Sequence, residues 1–315
     1  MRNRITAMLE VSFPLILGPM RLITLGEMAA EVSRSGAFGQ IAASGLSGER
    51  LRSELHRAGR LTDRPIGVNI PLYRPNAREA LEIAIECGLK AITTSAGDPV
   101  KFIDKIKEAG LKVLHKVSSV EMARKAAAVG VDGVIATGFE AGGHIGRQQT
   151  TTLCLVPQLV DVLDIPVVAA GGIADARGVL AAFALGAEGV ELGTRFIATK
   201  QCPVPGYFKE LVVAADSEAT MLLGKEAMPI RVLRNKASLR IKDSDKSKED
   251  AKLEASGEAS YVQSGGDADG TIMPCGQIAG LVSEVKGIEE LLSELSAGCR
   301  SLSRKLSSLF NEECQ

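Results

Sequence analysis

The chain has 315 residues, 37 Lys plus Arg against 38 Asp plus Glu, a formal net charge of -1 and a charged fraction of 24%. That balance gives no electrostatic attraction to nucleic acid or to an anionic membrane. No apolar run approaches the roughly 20 residues of a spanning helix, and the start, MRNRITAMLEVSFP, lacks a secretory leader's apolar region and cleavage site, so a cytoplasmic protein is expected.

The length suits one (β/α)8 barrel of about 250 residues with an appendage. Along the chain a polar cap opens an amphipathic stretch, a glycine closes it, and a short apolar run follows. The closing glycines are Gly36, Gly88, Gly110, Gly130 and Gly186, each followed by an apolar residue, as at a left-handed C-terminal stop. Thr24 with Glu27, Asn76 with Glu79 and Ser118 with Glu121 have capping-box spacing, and Asp98 precedes Pro99 as a cap before a first-turn proline.

Between these signals lie candidate strands at 14–20, 37–44, 66–71, 90–95, 112–118, 132–138, 165–171 and 188–194. Strands alternating with helices imply parallel crossovers, and runs such as VVAA, apolar on both faces, suit strands covered on both sides. The expected class is therefore α/β: a TIM (β/α)8 barrel over 1–200, with a mostly helical, partly irregular extension over 201–315 packing on the mouth and substrate side. An open doubly wound sheet has the same periodicity. The tract KDSDKSKEDAKLEASGE, 242–258, reads as a solvated helix or linker. The tail 276–313 regains helical spacing, with Ile288, Leu291, Leu292 and Leu295 on one stripe and Leu302, Leu306 and Leu309 on another. Six scattered cysteines, Cys87, Cys154, Cys202, Cys275, Cys299 and Cys314, show no metal-ligand spacing and read as reduced thiols, so no metal site is expected.

In a barrel the functional residues lie at the C-terminal ends of the strands. Here these are Gly18, Pro19 and Met20; Asn69; His115 and Lys116; Thr137; Gly171 and Gly172; Gly193 and Thr194. Glycines after the seventh and eighth strands let backbone N–H groups approach a phosphate, and no GxGxxG opens a dinucleotide-binding unit, so one compact monophosphate site is expected. After the sixth strand comes GFEAGGHIG, 138–146, where His144 stands in a flexible glycine-rich loop suited to a proton carrier near neutral pH. Glu140 is its nearest rival. His56 lies in a charged helix and reads as exposed. Strand alternation sends His115 and Lys116 to opposite sides; Lys116 inside would offer a cation to the cofactor, and otherwise its stem snorkels past the rim.

The chain resembles the FMN-dependent nitronate monooxygenases, formerly called 2-nitropropane dioxygenases, and the related FMN-dependent enoyl-ACP reductases. The resemblance is carried by PLILGPM (14–20), RPIGVNI (64–70), GFEAGGHIG (138–146), IPVVAAGGIAD (165–175), GAEGVELGTRF (186–196) and GDADGTIMPCGQIAGLV (266–282). It implies a non-covalent FMN lined by Met20, Asn69, Gly171, Gly172, Gly193 and Thr194, the last four at its phosphate, with His144 as the acid–base residue. Gly18, Lys116, Thr137, Gly143 and Ala170 complete the expected cofactor site.

Two features are unlike the enoyl reductases: Pro19 replaces a glycine before the first-strand methionine, and Thr137 stands where they carry a glutamate. The His115–Lys116 pair is similar to the nitronate monooxygenases and quinone reductases, whereas EAGGHIG and GQIAGLV are similar to the enoyl reductases. The expected reaction is oxidation of alkyl nitronates to carbonyl compounds and nitrite. Reduction of an enoyl-ACP or enoyl-CoA with NAD(P)H, or of a quinone, is the alternative. The partner is a small-molecule substrate, or acyl carrier protein for a reductase, and a homodimer is compatible with either.

Overall fold

A computed structural model of the chain describes residues 2–224, 229–243, 260–262 and 266–311. The strands are β1 (Leu15–Leu17), β2 (Gly39–Ala42), β3 (Ile66–Pro71), β4 (Ala91–Ser95), β5 (Lys112–Val117), β6 (Gly133–Thr137), β7 (Gly143–His144), β8 (Val167–Ala170), β9 (Gly189–Leu192), β10 (Thr220–Leu223) and β11 (Ile230–Leu233). The helices are α1 (Arg4–Leu9), α2 (Gly26–Arg34), α3 (Gly48–Leu61), α4 (Ala77–Glu86), α5 (Val100–Glu108), α6 (Val120–Ala128), α7 (Thr152–Val160), α8 (Ala176–Ala184), α9 (Thr194–Ile197), α10 (Gly206–Val213), α11 (Lys236–Lys242) and α12 (Ile288–Asn311).

Eight parallel strands pair in the order β1-β9-β8-β6-β5-β4-β3-β2. The ring closes where Ile16 bridges Phe38, with Leu17 N–H donating to the Phe38 carbonyl at 2.9 Å and Phe38 N–H to the Leu15 carbonyl at 2.8 Å. This is a TIM barrel, and closure rules out the open sheet. All eight expected strands are present. The five closing glycines have φ between +67° and +94°, the left-handed turn their positions require.

Helix starts depart from the capping boxes in detail. The helix after Thr24 is capped at Leu25, and the Thr24 hydroxyl accepts from Met20 N–H instead (3.1 Å). Ser119 rather than Ser118 caps α6, accepting from Met122 N–H, and Asn76 flanks α4 without a side-chain cap, its amide donating to the Leu46 carbonyl. Neighbouring polar residues compete for the same turn, and spacing alone does not choose between them.

Two elements carry no clear sequence signal. Helix α1 closes the N-terminal end of the barrel: Ile5 and Leu9 join Ile16, Phe38, Leu114, Ile135 and Val168 in one buried cluster. Strands β10, β11 and β7 form a second, antiparallel sheet over the mouth. The main core runs from the barrel strands and helices into Phe208, Met273, Cys275, Ile278 and the α12 stripe of Ile288, Leu291, Leu292 and Leu295. Helix α12 packs on α8 and α2, completing the helical coat where the short α9 leaves a gap. Leu306 and Leu309, on its second stripe, are exposed. Beyond Asp243 the charged tract lies outside the described residues. Among the described residues no helix is long and apolar enough to cross a membrane.

Candidate active site

Inside the barrel an apolar floor gives way to a polar layer at the C-terminal ends of the strands. The Gln40 amide donates to the Leu17 carbonyl (2.8 Å), Thr93 Oγ1 donates to Gln40 Oε1 (2.6 Å), and Asn69 Nδ2 donates to Thr93 Oγ1 (2.9 Å). Across the ring, Lys116 Nζ makes an ion pair with Glu191 Oε1. Asn69 is 3% and Glu191 5% exposed, so the layer is buried and its members hold one another.

The strand pleat decides between the two neighbours on β5. Lys116 points inward, on the same side as Leu114 of the barrel floor. His115 points out toward the helices, 2% exposed, with its Nδ1 2.8 Å from Thr94 Oγ1. Burial lowers its pKa to about 4, with only a small opposing effect from Asp98, so it is a neutral packing residue away from the mouth. His56 is exposed on α3.

At the mouth the β1 and β9 ends press together. Gly18 N–H donates to the Leu192 carbonyl (2.7 Å), and a Cβ on Gly18 would stand 3.0 Å from Gly193 backbone atoms. A Cβ on Gly193, by contrast, would meet nothing nearer than the Met20 side chain at 4.0 Å. Gly193 therefore borders open space beneath Met20. Thr194 begins α9, and its Oγ1 accepts from Gly276 N–H at 2.8 Å. Gly171 and Gly172, at φ +91° and +74° after Ala170, turn beneath the 138–141 loop. Gly18, Met20, Asn69, Lys116, Thr137, Ala170, Gly171, Gly172, Gly193 and Thr194 thus share the C-terminal end of the barrel, Gly143 and His144 standing in the loop above.

The His144 loop is not the flexible loop its glycines suggest. Gly143 and His144 form β7, paired with Arg231 and Ile230 of β11, and Ile145 N–H donates to the Pro229 carbonyl (3.0 Å). Arg231 Nε and Nη2 donate to the Phe139 carbonyl at 3.2 and 2.9 Å. Glu140 is committed elsewhere: its carboxylate accepts from Thr152 N–H (2.9 Å) and Thr152 Oγ1 (3.1 Å), capping α7, and its carbonyl accepts from Gln277 N–H (2.9 Å). His144 is open to solvent, yet the concave mouth surrounds it with protein. That crowding, followed by the positive charge of Arg74, lowers its pKa below the ordinary histidine value.

Leu22, Ala96 and Gln149 adopt φ of +56°, +45° and +56° in the loops after β1, β4 and β7, and Glu10 adopts +54° at the end of α1. Such strain in non-glycine residues gathers at functional sites. Sequence reading missed Glu191, Arg231 and Arg74. Glu191 and Arg231 find their partners 75 and 92 residues away, and no local spacing reveals such contacts.

The sequence profile of the family described as nitronate monooxygenase matches residues 2–298. The chain is 34% identical to (3aS,4S,5R,7aS)-5-hydroxy-7a-methyl-1-oxo-octahydro-1H-indene-4-carboxyl-CoA dehydrogenase from Rhodococcus jostii, over 74% of this chain and 66% of that protein. It is 34% identical to a probable nitronate monooxygenase from Staphylococcus saprophyticus, over 70% of this chain and 75% of that one. Among solved structures, FabK from Thermotoga maritima is 36% identical, covers 98% of this chain and 99% of its own, and superposes with a TM-score of 0.93. A nitroalkane oxidase from Streptomyces ansochromogenes is 25% identical, over 96% of this chain and 100% of its own, at a TM-score of 0.85. A barrel with its polar residues gathered at one mouth, matched along nearly its whole length, places this chain in the nitronate monooxygenase family of oxidoreductases.

Proposed function

We propose that the chain is an FMN-dependent oxidoreductase that converts alkyl nitronates, and the nitroalkanes that give rise to them, to carbonyl compounds and nitrite with oxygen. The observation that carries this reading is the placement of His144, held over the strand ends by the β7–β11 pairing, where burial first and the charge of Arg74 second lower its pKa. A neutral imidazole accepts a proton, and a neighbouring cation stabilises the anion left behind. That pairing suits a carbon acid whose conjugate base is a nitronate.

The residues present fit FMN. Gly193 borders open space, the Thr137 hydroxyl is buried without a partner among the described residues, and Lys116 brings a cation into the polar layer. Gly171, Gly172, Gly193 and Thr194 would hold the phosphate with backbone N–H groups. Met20, Asn69, Lys116, Thr137, Gly18, Gly143 and Ala170 would line the remainder. FMN, when bound, supplies electron acceptance. The protein's own part is to hold the substrate over the barrel and to move a proton at the His144 ring.

A second reading is reduction of an enoyl thioester, carried on CoA or acyl carrier protein, with NAD(P)H as donor. It is supported by the CoA dehydrogenase from Rhodococcus jostii and by the end-to-end likeness to FabK. The outward turn of His115 also removes half of the residue pair that set this chain apart from the enoyl reductases. Anaerobic stopped-flow mixing separates the readings. Rapid bleaching of the flavin by an alkyl nitronate, with slow bleaching by NADH and NADPH, is expected; the reverse pattern selects the reductase.

A further inference from the structure

We propose that Glu191 is a cofactor-binding residue: the carboxylate oxygen not taken by Lys116 accepts a hydrogen bond from a hydroxyl of the FMN ribityl chain. The inference rests on the reading of Gly193 and Thr194 as the phosphate end of an FMN site.

Glu191 is 5% exposed, and its Oε1 holds the Lys116 ammonium. Among the described residues its Oε2 is buried with no hydrogen-bond partner, as is Thr137 Oγ1. The two belong to one layer. Register pairs Thr137 with Ala170 and Ala170 with Glu191, so a hydroxyl and a carboxylate oxygen flank a single methyl group. With adjacent strands about 4.8 Å apart, the two backbones stand roughly 10 Å from each other, with only the small side chain of Ala170 between them.

The chemistry of that space follows from its walls. A carboxylate oxygen only accepts, so the missing partner is an O–H or N–H donor. The Lys116 ammonium on the same carboxylate repels a metal ion and leaves a neutral donor. Position then selects among the donors of FMN. Gly193 follows Glu191 by two residues, at the turn from β9 into α9, so it lies no more than about 6.6 Å further toward the mouth. A group at that depth below the phosphate lies part-way along the sugar-alcohol chain. The only N–H of the oxidised ring is at its far end. Ribityl hydroxyls, by contrast, can both donate to Glu191 and accept from Thr137.

The test compares FMN with a flavin carrying a pentyl phosphate at N10, which keeps ring and phosphate and lacks the hydroxyls. Apoprotein is titrated with each ligand, and the ratio of the two dissociation constants is read for wild type, Glu191→Gln, Glu191→Ala and the double variant Lys116→Met/Glu191→Leu. The double variant removes both charges, so no unpaired ion is left in the barrel. Wild type should favour FMN by about tenfold to a hundredfold, the range of one charge-assisted hydrogen bond. Glu191→Ala and the double variant should reduce that ratio by about tenfold or more, and Glu191→Gln, which keeps a neutral acceptor, by less. An unchanged ratio, with both ligands weakened equally, overturns the proposal and leaves Glu191 acting through Lys116 alone. Wild type that binds neither flavin overturns the FMN reading and the proposal with it.

Discussion

The guanidinium carbon of Arg231 lies 4.5 Å from the centre of the Phe139 ring, while two of its N–H groups donate to the carbonyl of that same residue. Arg231 is 3% exposed, and its third contact is Thr220 Oγ1 at 3.3 Å. One side chain thereby ties the start of the His144 loop to β11, and the backbone pairing of β11 with β7 ties its end. Arg231→Met should accelerate amide exchange across 139–144 and lower turnover by about tenfold to a hundredfold, as expected for a misplaced catalytic group, while the barrel stays folded. Lysine lacks the planar fork, so Arg231→Lys should recover only part of the loss. Unchanged exchange in the methionine variant would separate Arg231 from the loop.

His144→Ala should keep flavin bound and lower turnover by roughly a hundredfold or more. Glu140→Gln, made alongside it, should change turnover little and reduce thermal stability, because that carboxylate caps α7 through Thr152. The pH dependence has a definite sign. In the proposed reaction the neutral imidazole is the working form, and its folded pKa is lowered, so activity should fall only as pH drops below the ordinary histidine range. Loss of activity in Glu140→Gln with an intact His144→Ala would reverse the assignment.

Gly193→Ala separates cofactor binding from folding. At φ -109° alanine is unstrained, and the nearest protein atoms to the new methyl belong to Met20 at 4.0 Å. The melting temperature should hold while flavin affinity falls by about tenfold or more, a steric loss comparable to overpacking. Gly172→Asp is a poorer probe, since a left-handed φ of +74° and Glu140 Oε1 3.3 Å from the new Cβ would strain the fold as well. Unaltered flavin binding in Gly193→Ala would place the cofactor elsewhere.

His115 should mark the acid side of the stability curve. Its folded pKa of about 4 lies below the ordinary 6.5, so the unfolded chain takes up a proton that the folded chain refuses. Stability is full above pH 6.5 and is lost as pH falls toward 4. The loss from this residue is about 3 kcal/mol. Unfolding free energies from urea titrations of wild type and His115→Gln at neutral and acid pH should converge by that amount. Parallel curves would show that the buried imidazole titrates normally.

Much of this protein is legible in its sequence because a (β/α)8 barrel repeats a local unit. Gly36, Gly88, Gly110, Gly130 and Gly186 each end a helix and release a strand, and all adopt the left-handed turn that glycine signals. The mouth residues follow from strand ends alone. Pairings over long separations are not legible: β7 is two residues long and takes its partner from β11, so GGH carries no strand pattern of its own. Helix α1 is only six residues, too short for periodicity to show. Within GAEGVELGTRF, Glu191 reads as one polar residue of a strand; its meaning comes from Lys116, three barrel strands away in the ring.

Helix α12 bears on how the barrel is held shut. A Cβ on Gly298 would stand 2.7 Å from the Ala176 methyl, and the same helix touches α2, which follows the first strand of the barrel. One segment therefore spans the flank where α8, before β9, stands next to α2, after β1. Leu291, Leu292 and Leu295 of that segment are buried in the main core, so the flank beside the β1–β9 pairing is covered by residues distant in the chain from both strands. The shape of the mouth is thereby tied to a helix on the barrel's flank, because β1 and β9 lead directly into Gly18 and Gly193.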